Sequence, residues 1–212
     1  MTERVSERRY RGLPPEVRQA DRLHRFREAG LDAFATSGYM NSSVPEICKL
    51  AGLSTRQFYE EFSSREGLIL DLYTRIHAEA RAKVIEAVEG AVGRSYREVA
   101  TTAATAYIHA IADDPRRARL ALVEVVGLNQ KVEGWREANT ADWAQLIEKI
   151  LRDMVPAGHE PTGGYRLVMV GMVGAVNALA QDWSESSPRP PMSDLIDIII
   201  PLTLSLFGLP LE

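Results

Sequence analysis

SVPEICKLAGLSTRQFYEEFSSRE, residues 43–66, contains three places where a helix can start. Ser43 is followed three residues on by Glu46, Ser54 by Gln57, and Ser63 by Glu66. In this spacing the serine hydroxyl accepts from a free backbone N–H of the first turn, while the Glu or Gln reaches back to the N–H of the cap residue. Starts this close together imply two short helices joined by a tight turn at Ala51-Gly52-Leu53, the helix-turn-helix arrangement. Ala51 is small and Gly52 is conformationally permissive, so the chain can reverse sharply there.

The apolar residues fit that geometry. Val44, Ile47, Cys48 and Ala51 form the expected inner face of the first short helix, and Phe58 and Phe62, one turn apart, anchor the second. Thr55, Arg56, Gln57 and Tyr59 are then left to project. Arg can pair bidentately with guanine O6 and N7, and Gln with adenine N6 and N7, in a DNA major groove. Tyr59 and the hydroxyls of Ser42, Ser43 and Thr55 suit phosphate oxygens, with helix N-termini adding partial positive charge. A helical hairpin with ordinary surface residues is the plainer alternative for the same spacing.

Working outward, Leu23, Phe26, Ala29 or Gly30, Ala33 and Phe34 recur at helical steps, and Gly38 stops that helix. A longer helix begins near Ser64 and carries Leu68, Leu72, Ile76, Ala80 and Val84 on one face. Further helices are expected near 95–112, 115–128, 131–155, 163–185 and 193–207, broken at Gly- and Pro-containing stretches. With no credible strand pair, the chain reads as all-α. The domains expected are a flexible basic arm over 1–15, a three-helix DNA-binding domain over 16–63, and a helical ligand-binding and dimerisation domain over 64–212.

Composition agrees with a globular chain: 45% hydrophobic residues supply a sizeable core, which argues against long disorder. The net charge of −4 argues at first against nucleic acid, but its distribution is uneven. Residues 1–70 carry eleven Arg and Lys against ten Asp and Glu, and the remainder fourteen against nineteen. A small reading module needs positive charge only where it meets phosphate. The arm Arg8-Arg9-Tyr10-Arg11 can reach DNA or stay a solvated tail. A single cysteine, Cys48, excludes an intramolecular disulfide and suits a reducing cytoplasm. The N-terminus lacks the apolar run of a signal peptide, and the most apolar stretch, 167–180, is too short to span a bilayer, so a cytoplasmic chain without membrane attachment is expected.

Enzymatic chemistry has no visible carrier. His24, His77, His109 and His159 lack metal-ligand spacing, and no nucleophile elbow, phosphate loop or dinucleotide fingerprint is present. No cofactor, metal or catalytic residue is expected. The last two helices are the most apolar; the first of them carries Gly171, Gly174, Ala175 and Ala178, which permit close helix approach. Packing within one chain accounts for them, and so does a four-helix interface between two chains.

The stretch AGLDAFATSGYMNSSVPEICKLAGLSTRQFYEEFSSREGLILDLY, Ala29 to Tyr73, resembles the DNA-binding domain of the TetR family of bacterial regulators. The resemblance rests on Ala29 to Phe34 running into Gly38-Tyr39, Ser42-Ser43-Val44, Ile47, Ala51-Gly52-Leu53-Ser54, Phe58-Tyr59, Phe62 and Ser64-Arg65-Glu66. It covers about a fifth of the chain. More weakly, GAVNALAQDW (174–183) and DPRRARLALVEVVG (114–127) are similar to segments of some members. The resemblance implies phosphate contacts from Tyr39, Ser42, Ser43, Tyr59 and Arg65, and base contacts from Thr55, Arg56 and Gln57. Four positions depart from the family. Glu61 stands where a phosphate-binding His is common, which makes that contact doubtful and adds repulsion. Arg56 and Gln57 replace smaller residues, so the operator cannot be borrowed from relatives. Arg27 replaces an aliphatic residue and belongs at the edge of the first helix.

The resemblance further implies a homodimer on a palindromic double-stranded DNA operator, more often a repressor, released by a small-molecule effector. An effector pocket is expected among helices between about 95 and 183, with Tyr107, His109, Glu124, Asn129, Trp143, Asn177 and Gln181 as polar candidates. The competing expectation is a helical ligand-binding or protein-interaction module without DNA recognition, which Glu60 and Glu61 beside the reading surface favour.

Overall fold

The computed structural model describes residues 14–91, 93–155 and 159–211. The Arg8-Arg9-Tyr10-Arg11 arm falls outside them. The described residues form nine helices and no strand, and they divide between Leu72 and Tyr73 into two compact units. The division falls inside a continuous helix, α4 (Arg65–Glu89).

In the first unit, α1 (Pro15–Ser37) starts on a proline at its first position, where the missing N–H costs no hydrogen bond. It ends at Gly38, with φ 81°, whose N–H returns to the Phe34 carbonyl. Phe26, Ala29, Gly30, Leu31, Ala33 and Phe34 are buried. At Gly30, α4 packs close: a Cβ there would stand 2.6 Å from the fully buried Leu68 side chain.

Two expected capping boxes start the next helices. For α2 (Val44–Ala51), Ser43 Oγ accepts from the Glu46 N–H and Glu46 accepts from the Ser43 N–H, both at 3.3 Å. For α3 (Thr55–Glu61), Ser54 and Gln57 do the same at 3.2 and 2.9 Å. The third start differs by one residue. Helix α4 begins at Arg65, so Ser64, not Ser63, is its cap and accepts from the Gly67 N–H at 3.0 Å. Phe62 leaves α3 in an extended conformation, and Ser63 precedes the cap.

Between α2 and α3, Gly52 adopts φ 62° and ψ 35°, the left-handed conformation that closes a helix C-terminus. The Leu53 N–H reaches the Cys48 carbonyl at 3.0 Å. Arg25 of α1 donates to the last carbonyls of α2, to Ala51 at 3.0 and 2.6 Å and to Gly52 at 3.1 Å. It thereby satisfies acceptors that a helix end leaves open. Phe26, Phe58 and Phe62 meet edge-on or tilted at 5.3 to 6.3 Å, which locks the two short helices onto α1.

The second unit continues α4 and adds α5 (Tyr96–Ala112), α6 (Pro115–Arg119), α7 (Gln130–Arg152), α8 (Gly164–Glu185) and α9 (Met192–Leu206). A capping box that sequence reading passed over, Ser95 with Glu98, starts α5. The single helix expected over 115–128 is instead the short α6 passing into a π-helical turn, Leu120–Glu124. Val168, Met169 and Met172 of α8 pack with Ile200 and Leu204 of α9 and with Phe207 and Leu209. Helix α9 lies against α5 and α8, and α8 against α7. No helix among the described residues is long and apolar enough to cross a membrane.

Candidate nucleic-acid interface and internal cavity

On α3, Thr55, Arg56 and Tyr59 are exposed, while Phe58 turns into the core. Arg56 reaches its neighbour Glu60 at 3.1 Å, but its side chain is 89% exposed, so water screens the pair and it yields readily to another anion. Gln57 is half-buried. Its Oε1 accepts from the Ser54 N–H and hydroxyl, which engages the carbonyl end of the amide and not the Nε2 end. Ser43 is exposed at the α2 cap, and Tyr59 rests edge-on against Phe58 at 5.5 Å.

Beside them, the Arg65 guanidinium stacks 4.2 Å above the Tyr39 ring and donates to the Ser42 carbonyl. Tyr39 in turn packs on Phe34. Ser42, expected to offer its hydroxyl to phosphate, is only 3% exposed, and that hydroxyl donates to the Tyr39 carbonyl at 2.9 Å. It builds the turn that seats Arg65.

Glu61 does not stand out from the α3 surface as a repelling charge. Its carboxylate accepts from Arg22 at 2.6 and 2.9 Å and from Gln19 at 3.0 Å. Arg27 is likewise committed inside the unit, bidentate to Asp71 of α4 at 2.7 and 3.0 Å. Arg22, Arg25 and Arg27, all counted as basic charge in the sequence, therefore hold the unit together. Their roles depend on partners 26 to 44 residues away, which no local pattern reveals.

The second unit contains a partly open cavity of about 140 Å³ lined from α4, α5, α7, α8 and α9. Tyr107, Trp143 and Asn177 line it. The other four polar candidates do not, and each is engaged elsewhere. His109 is exposed and meets Asp113 at 2.8 Å; Glu124 pairs with Arg119 at 3.0 Å. Asn129 caps α7 through the Val132 N–H, and Gln181 reaches Glu185 along its own helix.

Four polar lining residues, His77, Tyr96, Asn139 and Thr203, lie outside the set expected from the sequence. His77 carries a readable signal, since it adjoins Ile76 on the helix whose apolar face runs through Ala80 and Val84. Trp143 Nε1 donates to His77 Nδ1 at 3.2 Å, and Tyr107 packs edge-on against Trp143 at 5.1 Å. Burial pushes the His77 pKa down to about 3, helped by the charges of Arg81, Arg117 and Arg136. Burial also pushes the Tyr107 phenol up, so both groups are neutral at pH 7. Among the described residues, no group of three His, Cys, Asp or Glu is placed to hold a metal ion.

Residues 26–72 match the family profile described as bacterial regulatory proteins, tetR family. No curated protein sequence matches the chain. Among solved structures, the fatty acid degradation regulator FadR of Bacillus halodurans superposes with a TM-score of 0.74 at 17% identity, over 88% of this chain and 95% of that one. FadR of Bacillus subtilis, solved in complex with stearoyl-CoA, gives 0.74 at 16% identity over 86% and 97%. A bacterial regulatory protein in the tetR family from Rhodococcus RHA1 gives 0.64 at 19% over 89% and 98%.

Proposed function

We propose that this chain, a DNA-binding regulator of the TetR family by its N-terminal unit, acts as a homodimeric repressor that binds a palindromic operator and releases it when a small molecule occupies the second unit. The observation that carries the proposal is the outer face of α3. Thr55 and Arg56 project there, and the Gln57 amide nitrogen is left for an acceptor, on a helix fixed from behind by Phe26, Phe58 and Phe62. Arg56 reads a guanine edge, and Gln57 and Thr55 read neighbouring bases. Tyr39, Ser43, Tyr59 and Arg65 take phosphate oxygens and set the register.

One such helix covers a half-site, so a two-fold pair is needed to read a palindrome. Helices α8 and α9 are our candidate for that two-fold surface: Leu167, Val170 and Ile198 are exposed, and Gly171 and Gly174 have open space where a Cβ would stand. The cavity supports a ligand-responsive reading, as does the stearoyl-CoA complex of the B. subtilis FadR. Helix α4 contributes Arg65 to the proposed interface and His77 to the cavity lining. Release follows if the effector binds more tightly to a conformer whose two α3 helices do not match successive major grooves.

Fluorescence anisotropy on the chain's own promoter region tests this. Wild-type affinity is expected to fall steeply with added salt, and the Arg56→Ala, Gln57→Ala double variant to bind at least tenfold more weakly. Unchanged affinity in the variant would overturn the assignment of α3. Salt-insensitive or absent DNA binding would favour a ligand-binding or interaction module instead. The internal engagement of Arg22, Arg25 and Arg27, which lowers the charge available to phosphate, is what keeps that second reading in play.

A further inference from the structure

His77 has two polar ring atoms, and only one has a hydrogen-bond partner among the described residues. Trp143 Nε1 donates to Nδ1 at 3.2 Å, and an indole nitrogen can only donate. Nδ1 is therefore the acceptor, and the proton of the neutral ring sits on Nε2. That N–H is buried without a hydrogen-bond acceptor, on a residue only 3% exposed that lines the cavity. Buried donors are nearly always satisfied in native proteins, so this one calls for a partner.

The rest of the lining narrows what the partner can be. Tyr107 and Asn177 bond to each other at 3.4 Å. The Asn139 amide donates to the Tyr73 hydroxyl at 3.1 Å and accepts from Arg81 at 2.7 Å. Among the described residues, no Asp, Glu, Lys or Arg lines the cavity. The three cations that act on His77 each face a carboxylate: Arg81 with Asp142 at 3.6 Å, Arg117 with Glu79 at 2.9 Å, and Arg136 with Glu133 at 2.6 Å. An anionic group would thus lose its water without gaining a counter-ion. At about 140 Å³ the space resembles apolar cavities that hold one benzene-sized ring.

We propose that this cavity binds an uncharged, mainly apolar molecule of about one ring in size that carries a carbonyl-type oxygen, which accepts the hydrogen bond from His77 Nε2. The proposal rests on reading the cavity as the effector site and names the chemistry of that effector.

Three probes of similar size separate the possibilities: acetophenone, cumene and benzoate, each titrated calorimetrically into the full chain at pH 7. Acetophenone is expected to bind saturably and benzoate at least tenfold more weakly. His77→Phe is expected to weaken acetophenone at least tenfold while leaving cumene within about twofold. On the unaltered protein, the His77 Nε2–H proton resonance should move downfield with acetophenone and not with cumene, which keeps the test decisive even if the variant does not fold. Absent acetophenone binding, tighter benzoate binding, an equal effect of H77F on ketone and hydrocarbon, or an unmoved resonance each overturn the proposal. All readouts use the protein without DNA. Ketone binding with no operator binding would therefore sink the regulator reading alone.

Discussion

Arg22 of α1 and Glu61 of α3 form an ion pair at 2.6 Å in which the glutamate side chain is 3% exposed and the arginine 21%. The pair ties the proposed reading helix to α1 and neutralises a negative charge beside the surface proposed to meet phosphate. It also converts an apparent departure from the family into a structural element of the fold.

Removing one partner leaves the other charge buried. Arg22→Ala is expected to destabilise the chain by roughly 3 kcal/mol, toward the low end for a buried pair because Arg22 keeps some water contact. The double variant with Glu61→Ala should lose less than the sum of the two single losses. Urea denaturation of all four chains checks this, and additive losses would show that the pair is not coupled.

Gly52 carries a positive φ, and a Cβ there would stand 2.8 Å from the Arg25 guanidinium that caps α2. Gly52→Ala is expected to cost about 1–2 kcal/mol from the left-handed backbone alone. Operator affinity should fall with it, because displacement of Arg25 loosens the turn that aims α3. Thermal melts and anisotropy on the same variant read the two effects, and an unchanged melting temperature would count against the turn's role.

Val170 is 54% exposed and Ile198 52%. If α8 and α9 form the two-fold interface, Val170→Glu places like charges across it. The expected outcome is a monomer in sedimentation equilibrium with operator binding reduced at least tenfold. A variant that stays dimeric would move the interface elsewhere.

His77 links stability to pH with a defined sign. Its folded pKa, near 3, lies below the ordinary value of 6.5, so between these limits the unfolded chain binds a proton that the folded chain does not. The stabilisation is therefore complete above pH 6.5 and declines as pH falls toward 3, by about 1.4 kcal/mol per unit inside that window. Comparing denaturation of wild type and His77→Phe at pH 7, 6 and 5 isolates this slope. Parallel pH curves would show that the imidazole is not buried neutral.

Ser43, Ser54 and Gly52 were legible because capping and turn formation are local: the groups that bond lie within five residues of one another. The apolar stripe from Leu68 to Val84 was legible for the same reason, since helical period alone puts those side chains on one face. The expected α4 cap is off by one residue because Ser63 alone has a Glu three residues on, while the path out of α3 makes its neighbour Ser64 the cap, accepting from the Gly67 N–H. Of the seven polar residues expected at the cavity, Tyr107, Trp143 and Asn177 line it and the other four do not. Whether Tyr107 or His109 of the same helix faces inward depends on how α5 is rotated against its neighbours.

By itself, the sequence determined an all-helical chain, the position of the helix-turn-helix and the residues its second short helix presents, because hydroxyl caps, a left-handed glycine and helical period act over a few residues. Tertiary structure alone decided what the charges do. Glu61 meets Arg22, Arg27 meets Asp71, and His77 keeps one donor without an acceptor beside Trp143, across separations of 39, 44 and 66 residues. A charge or a ring nitrogen takes its role from whatever packing brings within 3 Å, and that information is absent from the order of the residues.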